Sequence, residues 1–128
     1  MKTRLTIFLT LLLMLAPAAA SAAAPTVKFN TKTHDFGNIR ANGGKVTAEY
    51  TFTNTGTTPL VIIDVTNGGC GCTTPSFPKA PVAPGKSGKI AITFNPAGRK
   101  GEFNREVKVR TNGNPKRIGL QFKGVILP

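Results

Sequence analysis

Tryptophan is absent, histidine and tyrosine occur once each, and 5 Asp and Glu stand against 17 Lys and Arg. The cysteine count is 2, both in one short segment. Each shortage excludes something. Without Trp, and with Cys70 and Cys72 side by side, the Cys…Trp…Cys signature of antibody-type domains cannot be present. The dispersed carboxylates Asp35, Glu49, Asp64, Glu102 and Glu106 show no acid-pair pattern. His34 beside Asp35 is the one combination of a base with an orienting carboxylate, but neighbours on a strand point to opposite faces. No Gly-x-Ser-x-Gly or other nucleophile motif accompanies them, and Gly68-Gly69 lacks the Lys-Ser/Thr of a phosphate loop. The sequence therefore reads as non-enzymatic, and it calls for no cofactor.

What is present suits one globular domain. Apolar residues make up 40% of the 128-residue chain and charged ones 17%, a balance that supports a core and argues against disorder. The N-terminus reads as a secretory signal peptide over residues 1–24, ahead of a domain over 25–128. Lys2 and Arg4 form a positive n-region, and Leu5 to Ala16 is an uncharged apolar run too short to span a bilayer. Small residues from Ala18 to Ala24 offer cleavage sites, with cuts after Ala20 or Ala22 favoured because a cut after Ala24 places Pro25 beside the scissile bond. The expected product is exported, periplasmic or extracellular, with no transmembrane segment. Its formal charge is +10 once Lys2 and Arg4 are removed from the +12 of the full chain.

The mature chain is strand after strand. Val46, Ala48, Tyr50 and Phe52 alternate with polar residues, as do Ile90, Ile92 and Phe94, then Val107 and Val109, then Ile118, Leu120 and Phe122. A period of two buries one face and solvates the other. Leu60 to Val65 is almost continuously aliphatic, which predicts a central strand buried on both sides. Val27 to Phe29 and His34 to Phe36 are shorter candidates. Asn42-Gly43-Gly44, Asn54-Thr55-Gly56, Pro84-Gly85 and Asn112-Gly113-Asn114-Pro115 supply turn chemistry between them. About seven short strands with such punctuation predict a single all-β domain, an immunoglobulin-like antiparallel β-sandwich.

Particular residues carry a family resemblance. Thr33-His34-Asp35-Phe36-Gly37-Asn38-Ile39, Tyr50-Thr51-Phe52-Thr53-Asn54-Thr55-Gly56, Pro59-Leu60-Val61-Ile62, Gly69-Cys70-Gly71-Cys72-Thr73, Pro84-Gly85-Lys86-Ser87-Gly88 and Thr111-Asn112 run through the mature chain. Together they resemble the domain-of-unknown-function 1573 family of secreted bacterial proteins, the Cys-Gly-Cys-Thr segment being the most specific element. The resemblance implies an immunoglobulin-like sandwich related to the ASH, major-sperm-protein and Hydin modules, and it implies no reaction. Members of that family often carry a lipoprotein leader. This chain has no Cys near its leader, so a lipid tether is not carried over.

Two features hold chemical content. The first is Cys70-Gly71-Cys72. In an oxidising compartment nearby thiols usually pair, and Gly71 is expected to let the chain curl through a conformation that other residues resist. The enclosed loop is so short that chain entropy gives the bond at most about 1.6 kcal/mol, so it shapes a local turn or does thiol chemistry rather than stabilising the domain. A redox-active dithiol and soft Cu(I) stay open as alternatives, whereas structural zinc wants four ligands and only His34 is left to supplement two thiolates. The second is a set of cations. If the last two strands form a hairpin, Lys108, Arg110, Lys116, Arg117 and Lys123 gather on one outer surface, with Arg99 and Lys100 in a separate basic loop. Such a face suits an acidic partner, an envelope protein or an acidic polymer. Nucleic acid fits less well, since the face has no interleaved aromatics. The expected function is a non-catalytic binding or scaffolding module of the bacterial envelope. The alternative is thiol-redox or soft-metal handling at the Cys-Gly-Cys turn.

Overall fold

A computed structural model describes residues 24–128; the expected signal peptide lies almost wholly outside them. No helix occurs among the described residues. Eight strands do: β1 Val27–Phe29, β2 Thr33–Arg40, β3 Val46–Asn54, β4 Ile62–Val65, β5 Thr73–Ser76, β6 Ser87–Phe94, β7 Gly101–Thr111 and β8 Arg117–Leu127. They form two sheets of four, ordered β1-β3-β6-β5 and β2-β8-β7-β4. The sheets pack face to face as an immunoglobulin-like sandwich.

The alternating residues build the core. Ala48, Tyr50 and Phe52 of β3 and Ile90, Ile92 and Phe94 of β6 are fully buried, and so are Val107, Val109, Leu120 and Phe122 from the facing sheet. Phe94, Phe103 and Phe122 close one end of the core, with Phe94 stacked on Phe103 at 4.8 Å. Tyr50 is the one core residue with a polar tip, and its hydroxyl donates to the Gln121 carbonyl at 2.6 Å. Burial pushes its phenol up to about 12. Asn54 is also fully buried, and its side chain donates to the Thr58 and Val82 carbonyls and accepts from the Gly56 N–H. That network folds the chain back after β3.

Two expectations need correction, and two are extended. The Leu60–Val65 run does not make a central strand: β4 begins at Ile62, pairs with β7 alone and lies at a sheet edge. Its register shifts between Ile62 and Asp64, so Ile62 and Val65 point inward while Ile63 points out with 46% of its surface exposed. Leu60 is buried separately, through a bridge to Val82. The sandwich has an eighth strand, β5, which carries Pro75 and pairs with β6 alone; an edge is where a strand tolerates proline. Finally, the sheets are not wholly antiparallel, because β2 runs parallel to β8. β2 also reaches Arg40 rather than ending at Phe36, after a register shift at which Gly37 has φ 69° and donates its N–H to Asp35.

Candidate functional site

The two outer faces of the sandwich differ in chemistry. On the β3–β6 face, hydroxyls meet across the strands, Thr47 with Thr93 at 3.1 Å and Thr53 with Ser87 at 2.8 Å. The β7–β8 face is charged. Its antiparallel register sets Arg110 directly opposite Arg117, and Lys108 opposite Gly119. All of Lys108, Arg110, Lys116 and Arg117 are exposed. Two like charges on opposed strand positions repel, and each guanidinium gains by meeting an anion. Within the protein the neutralisation is slight: Arg110 reaches Asp64 at 4.0 Å and Lys108 reaches Glu106 at 3.7 Å, both as exposed pairs worth little in water.

Four of the five predicted cations thus cluster at one end of the sheet. Lys123 does not join them. Its cross-strand partners are Asp35 on β2 and Asn104 on β7, and it lines a separate shallow depression of about 440 Å³ with Asp35 and Glu102. The β2 pairing that brings Asp35 there is tertiary and left no mark in the local sequence.

The cationic end has a shape of its own. Ile63, Arg110, Thr111, Asn112, Lys116 and Arg117 line a depression of about 300 Å³, the only exposed large hydrophobic side chain among the described residues (Ile63) standing at its rim. The loop chemistry fixes its floor. Asn112 accepts the Val61 N–H at 2.8 Å and donates to the Pro59 carbonyl, while Thr111 is buried and ties the turn by donating to the Pro115 carbonyl at 2.9 Å. The turn in turn hydrogen-bonds the start of the domain, through Asn114 N–H to the Pro25 carbonyl and Val27 N–H to the Asn114 carbonyl. Nothing in the local sequence marks Ile63 or Asn112 as part of the cationic site. The Thr111-Asn112 pair was visible, but its partner Pro59 is more than fifty residues away.

The Cys-Gly-Cys turn lies elsewhere. Cys70 and Cys72 are bonded to each other with Cα atoms 5.2 Å apart. Gly71 makes the bend between the two cysteines, but its φ is not positive and its Cβ position is open, so other residues could adopt that conformation. The left-handed backbone lies just before the pair, at Gly68 and Gly69, with φ of 70° and 81°. Gly68 also packs so close to β7 that a Cβ there would sit 2.7 Å from the Glu106 carbonyl oxygen. Cys72 packs against the core. Cys70 Sγ accepts the Cys72 N–H at 3.2 Å and faces Arg99 Nη2 at 3.3 Å. The sequence puts Arg99 in a basic loop, and nothing in its local surroundings connects it to a cysteine 29 residues earlier.

His34 and Asp35 do point apart. His34 is half-buried with its ring edge-on to Phe36 at 4.6 Å, while Asp35 is exposed and caps Gly37. Among the described residues no three of His, Cys, Asp and Glu gather where a metal ion would sit, and no helix is long and apolar enough to cross a membrane.

The model of a family described as Protein of unknown function (DUF1573) matches residues 27–126. No curated protein matches the chain. Among solved structures, a protein of unknown function from Porphyromonas gingivalis superposes with a TM-score of 0.70 at 19% identity, covering 85% of this chain and 50% of that one. The VesB protease of Vibrio cholerae superposes at 0.63 with 17% identity, covering 78% of this chain and 32% of that one. The ASH/PapD-like domain 7 of human CEP192 does so at 0.60 with 15% identity, and there coverage is 94% of this chain and 97% of the domain. The chain therefore spans half of the first structure and about a third of the protease. Identities this low establish a shared fold and transfer no activity.

Proposed function

We propose a function for a chain that belongs to the DUF1573 family: an exported, non-catalytic binding module of the bacterial envelope that docks an acidic protein segment. The observation that carries this reading is the opposed Arg110–Arg117 pair, with Lys116 beside it, around a depression rimmed by Ile63. Guanidinium pairs suit carboxylates, which they can bind bidentately. The neighbouring edge strand, β4, pairs on one side only among the described residues, so its other side suits main-chain hydrogen bonds from an extended segment. Ile63 supplies a small apolar anchor. One isoleucine is too little for stable insertion into a bilayer, where a polybasic patch normally needs a second signal. Export rests on the Lys2/Arg4 n-region and the apolar run after it, and N-terminal sequencing of secreted material should begin between Ser21 and Pro25.

The direct probe is fluorescent poly-L-glutamate followed by anisotropy at low salt. The variant Arg110→Gln/Lys116→Gln/Arg117→Gln should bind at least about tenfold more weakly than the native protein, because each lost carboxylate contact removes charge-assisted hydrogen bonding. Lys123→Gln should bind as the native protein does. Equal binding by the triple variant contradicts the proposal. Vesicles rich in anionic lipid binding more tightly than the polypeptide would identify a membrane surface as the ligand instead.

A further inference from the structure

The Cys70–Cys72 bond sits in an asymmetric setting that the docking function does not use, and neither cysteine lines the cationic depression. Two loops meet here. The Asn95 N–H donates to the Cys72 carbonyl at 2.9 Å, and Arg99 N–H donates to Pro96 in the same turn. That turn carries the Arg99 guanidinium to Cys70 Sγ at 3.3 Å, where the Cys72 N–H already points at 3.2 Å. Cys72 Sγ has only the Thr73 hydroxyl, at 3.6 Å, and the edge of the core. A disulfide sulfur is a weak acceptor, whereas a thiolate is a strong one that an adjacent guanidinium stabilises. Both donors therefore converge on the sulfur that would gain most from them if it were charged.

We propose that Cys70–Cys72 is an exchangeable disulfide, with Cys70 carrying the thiolate in the reduced protein and Arg99 as its positioning residue. The co-reactant is a small-molecule or protein thiol. Its thiolate attacks Cys72 Sγ, a bond forms between the two sulfurs, and the S–S electron pair leaves on Cys70 Sγ beside Arg99. A second thiol, deprotonated by solvent, then attacks the external sulfur of the mixed disulfide and releases Cys72, which takes up one proton. Two external thiols become one disulfide, the protein bond gains two electrons, and the second proton stays in solvent while Cys70 remains a thiolate. A low leaving-group basicity on Cys70 speeds the first step.

The test uses the whole mature protein, reduced with a phosphine and freed of it, then treated with iodoacetamide at pH 7. Mass spectrometry reads the modification of each cysteine against time. Cys70 should react about tenfold faster than Cys72, as thiolates beside arginine do. Arg99→Ala should abolish that lead, and Arg99→Lys should restore most of it by returning the charge. In a glutathione buffer the reduced fraction of Arg99→Ala should fall several-fold relative to the native protein. Arg99 lies in an exposed loop, so circular dichroism of all three proteins should coincide. Equal rates at the two cysteines overturn the proposal. So does a Cys70 lead that survives Arg99→Ala, because burial of Cys72 alone then explains it. An unchanged glutathione equilibrium in Arg99→Ala overturns the exchange chemistry.

Discussion

Substituting two glycines three residues apart should have very different consequences. Gly68 has φ 70° and a Cβ position 2.7 Å from the Glu106 carbonyl oxygen, a backbone atom of β7 that cannot rotate away. Gly71 has neither constraint. For Gly68→Ala the left-handed backbone costs roughly 1–2 kcal/mol. Relieving the contact requires the turn to move off β7, by an overpacking strain of roughly 1–3 kcal/mol. The total is about 2–4 kcal/mol, since the two relaxations share one movement. In a domain of this size each kcal/mol lowers the melting temperature by roughly 4–8 °C, so thermal unfolding followed by circular dichroism should show a fall of roughly 8–32 °C. Gly71→Ala, by contrast, should stay within roughly 0.5 kcal/mol of the native protein, as surface substitutions do. Equal losses in the two variants would refute the reasoning, because the left-handed backbone and close contact at Gly68 would then carry no cost of their own. So would a Gly68→Ala protein as stable as the native one.

Two further outcomes follow from buried groups. Tyr50 is the sole tyrosine, and burial holds its phenol at about 12 against an ordinary value near 10. The folded state thus keeps its proton where the unfolded chain loses it. Tyr50 contributes stability that is complete below pH 10 and is lost as pH rises from 10 towards 12. Tyr50→Phe should be less stable at pH 7 by about 1 kcal/mol, for the hydrogen bond to Gln121, and its urea midpoint should fall less steeply than that of the native protein above pH 10. Replacing both Cys70 and Cys72 by Ser should cost only about 1 kcal/mol in urea denaturation, because so short a loop restricts the unfolded chain very little. A loss of several kcal/mol would mean that the turn anchors the core.

Strands that alternate strictly were legible in the sequence. Val46–Phe52 and Ile118–Phe122 each bury one face against the other sheet, and the pattern follows from that geometry alone. Where the backbone departs from regular pairing, the pattern misleads. Ile62, Ile63 and Val65 look like a doubly buried strand, but a register shift turns Ile63 outward at an edge. Thr73–Ser76 carries no alternation and includes Pro75, and it is extended only because β6 pairs with it. The site divides the same way. Opposed Arg110 and Arg117 could be read from a hairpin through Asn112 to Pro115, whereas the isolation of Lys123 depends on β2 running beside β8. The Gly68 φ and the reach of Arg99 to Cys70 are set by loops meeting across the fold, and no spacing in the chain records either.

The docking site is tested most directly by titrating poly-L-glutamate into the isotopically labelled mature domain and mapping amide shifts. The predicted result is saturable shifts confined to Ile63, Arg110, Asn112, Lys116 and Arg117 and their strand neighbours, fading as salt is raised. Lys123 and the threonine-lined face of β3 and β6 should stay unmoved. Shifts spread evenly over every exposed lysine and arginine would contradict a built site, and shifts centred on the Asp35–Lys123 depression would place the ligand at the other end of the sheet.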